Sequence, residues 1–324
     1  MAVPARALEA IEASDHDELL RAVDGLCAAR DWDGLVELRT YCQEAVTRGK
    51  QIWAIDEHIR YRLALEAPAP WAGPVVTEGP ARFTLGPLTE VVAQHHTWAE
   101  LDPHLEPGPA RAAVAHERVV RGEDLTGADV DLGVFELPLR LQRWEPRYPV
   151  ADYHSDRAEF PRPDPPPLRP LDLPEKAASG EPDGAAEALA DLVRVWVEES
   201  NGRATVATVE GTASQAIRAI GVRRAWGVRL RPADAFAHMA WAGASGGAHG
   251  RRRGMAAGRY AAWWAATELA GLDWPPDLDE LGDALEELRW TIWSDGPRVG
   301  WVLRLAVEDP VHGLAWAIAA DDAV

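Results

Sequence analysis

The stretch Ser245-Gly246-Gly247-Ala248-His249-Gly250-Arg251-Arg252-Arg253-Gly254 has the residue types and spacing for chemistry. Glycines at 246, 247, 250 and 254 let a backbone come close to a ligand. A helix beginning just after them would offer unpaired N–H groups and the positive end of its dipole. Arg251, Arg252 and Arg253 add fixed charges whose planar heads suit carboxylate or phosphate. One reading is therefore a phosphorylated or carboxylated small molecule held by loop 245–254, with His249 as the candidate general acid or base. The stretch lacks the Lys-Ser/Thr ending of a nucleotide phosphate loop, and no expected strand precedes it as the dinucleotide fingerprint requires.

The loop belongs to a wider electrostatic anomaly. Residues 201–260 carry ten arginines (203, 218, 223, 224, 229, 231, 251, 252, 253 and 259) against Glu210 and Asp234 alone, with no lysine. The whole chain has a formal net charge of −19. An Arg-rich face in so acidic a protein can equally be a docking surface, for the acidic N-terminal half or for a partner. The chain also has 15 Trp, and interface hot spots favour Trp and Arg together. With no complete catalytic signature assembled, the leading expectation is a non-catalytic interaction or scaffold protein that binds a protein partner or a second copy of itself. The alternative is an enzyme or sensor binding a small anion at 245–254.

Other chemistries find less support. Strong negative charge opposes nucleic acid and anionic lipid at long range. His95 and His96 are adjacent, so a helix would splay them apart, and no Cys-x-x-Cys occurs. Only His154 with Asp152 and Asp156 hints at a metal, and no metal or cofactor is expected. No run of about 18 apolar residues lacks charge, which argues against a membrane span. No basic stretch leads into an apolar one at the N-terminus, so the expectation is a cytoplasmic protein. Cys27 and Cys42 fall on helical apolar stripes and read as free thiols.

The elements that would position these residues follow from periodicity. The expected class is α+β, predominantly α, in three stretches. Residues 1–126 read as an irregular helical bundle or an α-solenoid-like module. Residues 127–184 read as an irregular segment with a Pro-rich linker, and 185–324 as helices on a small mixed or antiparallel sheet. In the first stretch, Ser14 is a cap for a helix bearing Leu19, Leu20, Val23, Leu26 and Cys27. A second helix begins near Asp33 and stops at Gly49; a third carries Ile52, Ile55, Ile59 and Leu63 and ends at Pro68. Trp32-Asp33-Gly34-Leu35 and Trp98-Ala99-Glu100-Leu101, each followed by a helix ending in Arg-Gly, form a faint internal echo.

Eight prolines between 161 and 182 forbid helix or central strand there. The third stretch starts with a helix through Leu189, Leu192, Val193, Trp196 and Val197, then a strand over 204–209, a helix over 214–220 and a strand over 225–230. A helix from Pro232 to about Ala242 and another over 254–269 flank the Gly/Arg loop. The second of these carries Gly254, Gly258, Ala262 and Ala266 at every fourth position, a smooth stripe for close packing. Strands over 288–292, 299–307 and 314–318 complete the sheet, with turn chemistry at Ser294-Asp295-Gly296 and a break at Asp309-Pro310.

Overall fold

A computed structural model describes residues 5–77, 82–176 and 180–323. The protein is α+β, and its chain divides into two compact units: residues 1–118, 129–134 and 151–159, and residues 119–128, 135–150 and 160–324. Residues 78–81, and 177–179 of the Pro-rich stretch, lie outside the described residues.

The first unit contains α1 (Ala5–Ala13), α2 (His16–Ala29), α3 (Trp32–Thr47), α4 (Trp53–Glu66), α5 (Ala69–Ala72), α6 (Leu88–Val92), α7 (Trp98–Leu101) and α8 (Pro109–Val120), whose last two residues fall in the second unit. A two-residue hairpin, β1 (Asp152–Tyr153) and β2 (Ala158–Glu159), completes it. The expected apolar stripes are the buried ones: Leu19, Val23, Leu26 and Cys27 of α2, Leu35, Leu38 and Cys42 of α3, and Ile55, Ile59 and Leu63 of α4. Leu20, expected among them, is 37% exposed.

The start of α2 differs from expectation by one residue. Asp15 is the cap and accepts from the Glu18 N–H, whereas Ser14, at φ 54°, is the left-handed residue that ends α1. An unforeseen preceding helix claims Ser14 as its stop. Both Trp-led segments do begin helices, capped by Asp31 and Thr97, and Gly49 and Gly122 both stop helices at positive φ. Between start and stop they diverge. α3 runs for 16 residues, whereas α7 ends after four and passes into a 3-10 turn at Asp102–His104 before α8.

The second unit adds β3 (Arg169–Pro170), α9 (Gly184–Asp191), α10 (Arg194–Glu198), β4 (Arg203–Glu210), α11 (Ala213–Ala219), β5 (Trp226–Leu230), α12 (Pro232–Ala244), α13 (Met255–Leu269), α14 (Leu278–Glu287), β6 (Arg289–Ser294), β7 (Trp301–Asp309) and β8 (Leu314–Asp322). Six strands pair antiparallel in the order β3-β5-β6-β7-β8-β4. The Pro-rich stretch thus supplies an edge strand, the position where a missing N–H is tolerated. Period-two alternation divides the strands between two cores. Trp290, Ile292, Leu305, Trp316 and Ile318 belong to the core shared with α9, α12 and α13. Trp293, Ala306, Ala315 and Ala317 belong to a smaller core shared with α11.

Local departures have local causes. The helix expected through Val197 breaks at Val193, which at φ −120°, ψ 14° leaves helical geometry. That turn keeps Trp196 fully buried and leaves Val197 45% exposed. The strand expected from Val299 begins at Trp301, because Gly300 takes φ +91° and Val299 stands 88% exposed before it. The small-residue stripe performs as read. Ala262 and Ala266 are fully buried, and a Cβ on Gly258 would lie 2.8 Å from Ala244 Cβ and closer still to the Ala240 carbonyl. Gly258 therefore sets the approach of α12 to α13. Eight of the 15 Trp are buried, so much of the tryptophan is core material rather than free surface.

Candidate functional site: the Gly/Arg loop between α12 and α13

The loop leaves α12 at Ser245 and enters α13 at Met255, and it is closed by the chain's own groups. Ser245 Oγ, 5% exposed, accepts from the Gly247 N–H at 3.1 Å. The Ala248 N–H donates to Asp322 Oδ2 at 2.6 Å, and the His249 N–H donates to Ser200 Oγ at 3.0 Å. The Arg253 N–H returns to the Ala244 carbonyl at 2.8 Å. Three consecutive amides suited to a ligand anion thus have acceptors from inside the protein, one of them the buried carboxylate of Asp322. The glycines serve packing. Gly246 and Gly250 touch backbone to backbone, and Gly247, at φ +73°, lies against Asp322 and the Trp196 ring.

The three arginines have three different surroundings. Arg251 is exposed. The Arg252 guanidinium lies 4.7 Å from the Phe160 ring centroid, in cation–π range. Arg253 is half-buried; burial holds its pKa below the usual arginine value, and the charge of Arg194 adds to that. The His249 ring is exposed whereas Ser245 is buried, so the two do not form a nucleophile–base pair.

Gly243-Ala244-Ser245-Gly246-Gly247 has the Gly-x-Ser-x-Gly spacing of a nucleophile elbow. An elbow needs a strand before its serine so that Oγ is thrown outward. Here Ser245 ends a helix, lies buried, and uses its Oγ to hold the loop. Gly254, at φ +95°, is the N-cap of α13 and supplies no side-chain cap.

Behind the loop, α13 carries a buried, densely hydrogen-bonded polar group that sequence reasoning missed. Arg259, one of the ten arginines, points inward. Its Nε and Nη2 donate to Glu145 Oε2 and Oε1, both at 2.8 Å, and its other N–H groups reach the Pro138 and Arg140 carbonyls. Glu145 also accepts from Tyr148 Oη at 2.5 Å, Trp263 Nε1 at 3.1 Å and the Gln142 N–H at 2.9 Å. Burial alone would raise the Glu145 pKa, but the Arg259 charge and these donors outweigh it and hold the carboxylate below its usual range. Both side chains of the ion pair are fully buried. The network fastens segment 137–148 to α13. The only sequence signal is a lone glutamate in an aromatic stretch, Trp144-Glu145-Pro146.

His96 bonds the Ala67 carbonyl and His95 contacts Gln94, while His154 lies 3.6 Å from Asp152. Among the described residues no group of three or more His, Cys, Asp or Glu could hold a metal ion. Nor is any helix among them long and apolar enough to cross a membrane.

A profile described as a family of unknown function, DUF6183, matches residues 17–323, and the chain belongs to that family. Comparison with curated proteins and with solved structures gives no significant match.

Proposed function

We propose that this member of the family is a non-catalytic interaction protein whose second unit presents an Arg-rich surface to a carboxylate-rich partner, either another protein or a second copy of the chain. One observation carries the reading. The loop best suited by composition to cradle a small anion already directs its amides at Asp322, Ser200 and Ser245. A loop so closed is a stiff platform for side chains, and the chemistry left to it is display of arginine. Of the ten arginines between 201 and 260, six (203, 223, 224, 229, 231 and 251) are exposed.

The alternative of an anion-binding enzyme or sensor at 245–254 requires an incoming anion to displace the Asp322 carboxylate from Ala248. Arg251, Arg252 and Arg253 would also have to abandon separate surroundings to converge on it. A helical N-terminal module and a cytoplasmic setting complete the interaction reading.

Titration of the full chain into a fluorescent Glu-rich peptide tests it. Wild type should bind with an affinity that falls steeply with salt, since exposed charges are screened within roughly 10 Å at 0.1 M. The Arg251→Ala/Arg252→Ala/Arg253→Ala variant should bind at least about tenfold more weakly. A wild-type chain that ignores the peptide and stays monomeric at every concentration would contradict the proposal.

A further inference from the structure

A second electropositive feature lies away from the loop, on the sheet face covered by α11. It is a groove of about 510 Å³, within the range of small-molecule sites. Its floor is Gly227, Arg229 and Thr291; the Pro166–Leu171 strap forms one wall, and Thr212, Ser214 and Ile217 form the other. Arg169 stands directly opposite Gly227 across the β3–β5 pair, and Arg229 lies two residues along from Gly227 on the same strand. The two guanidiniums are therefore diagonal neighbours on one face.

Glycine is required between them. A Cβ at 227 would sit 2.8 Å from Leu171 Cδ1 and 2.9 Å from the Ile292 carbonyl, so only glycine lets the Leu171 side chain pack down onto the strand beside the arginines.

The charge at this groove is uncompensated in a protein of net charge −19. Among the described residues neither the Arg169 nor the Arg229 side chain has an ion-pair or hydrogen-bond partner. The one carboxylate that lines the groove, Glu308, is already engaged on both oxygens, by Arg289 at 2.7 Å and by the Ala213 N–H at 3.1 Å. Like charges close together on adjacent strands repel, and a bound anion would reverse that sign.

We propose that this groove binds a small organic molecule through a phosphate or carboxylate group held between Arg169 and Arg229. The hydroxyls of Ser214 and Thr291 are placed to donate to its remaining oxygens, and Pro166, Pro167, Leu171 and Ile217 offer an apolar flank for the body of the ligand. This site is separate from the Gly/Arg loop and stands without the interaction reading.

Amide NMR titration of the full chain with inorganic phosphate, and separately with succinate, tests the site. At least one of the two should shift the resonances of Gly227, Arg229 and Thr291 saturably, and the tighter probe identifies the headgroup. Arg169→Ala and Arg229→Ala should each weaken binding about tenfold or more, as expected for a charged partner. Arg289→Ala, which releases the charge of Glu308, should weaken it as well, whereas the Arg251/Arg252/Arg253 triple variant should bind like wild type. Absence of saturable shifts with both probes, or binding unchanged in an Arg169→Ala/Arg229→Ala double variant that keeps the wild-type spectrum elsewhere, would overturn the proposal.

Discussion

At the residue scale the site is governed by carboxylates turned inward in a chain that has many to spare. Asp322 is 1% exposed and takes the Ala248 N–H. Asp322→Ala should leave that amide without its acceptor and lower stability by about 1–3 kcal/mol, read from urea unfolding. Glu145 and Arg259 form the deeper case. Arg259→Met strands a buried negative charge and should cost about 3–5 kcal/mol, whereas Glu145→Leu with Arg259→Met should lose less than that single change. A double variant worse than the single would contradict the account of the pair.

His238 gives the residue-scale pH prediction. Burial, and then the nearby charge of Arg162, bring its pKa down to about 4, against weaker opposing pulls from Asp234 and Asp164. The unfolded chain therefore binds a proton near pH 6.5 that the folded chain refuses until about pH 4. The corresponding stability is fully present above about pH 6.5 and is lost as pH falls toward 4. It amounts to at most about 3 kcal/mol. Unfolding free energies of wild type and His238→Asn, compared between those limits, should converge as the pH drops; a constant difference would show that His238 does not titrate with unfolding.

At the element scale the α12–α13 pair decides the geometry. Gly258→Val would drive a side chain into the Ala240 carbonyl and Ala244. It should destabilise by at least about 1–3 kcal/mol, the usual penalty of overpacking, and should disturb the loop that the two helices carry. This contact was legible in the sequence, since residues of one size recur every fourth position. So were the strands, whose alternation puts Trp290 and Ile292 into one core and Trp293 into the other.

What was not legible depended on partners distant in sequence. Asp322 meets Ala248 across 74 residues and Glu145 meets Arg259 across 114, and neither spacing leaves a periodic trace. Composition alone made the Gly/Arg loop resemble a cradle, because a glycine needed for packing looks the same as one needed for a ligand. The Arg169–Arg229 diagonal was hidden too, because the Pro-rich stretch hides a strand only two residues long.

At the scale of the whole molecule, negative charge dominates and positive charge is concentrated. Recognition by such a surface should be electrostatic in rate and selectivity, favouring acidic partners and weakening with salt. The tryptophans add little to that surface. Trp53 and Trp226 are the ones that stand about 40% exposed, while Trp196, Trp263 and Trp290 anchor the second unit's core. Trp196→Ala should cost about 3–5 kcal/mol, as large core truncations do, and, because the ring packs against Gly247, should loosen the Gly/Arg loop as well.

The loop between α12 and α13 is closed by the protein itself. Amide hydrogen exchange at Gly247, Ala248 and His249 tests it most directly. Protection should be comparable to that of the adjoining helix ends, unchanged by saturating phosphate or dicarboxylate and lost at Ala248 in Asp322→Ala. Rapid exchange of all three amides in the free protein, slowed only when an anion is added, would contradict it and return the loop to the role of a ligand cradle.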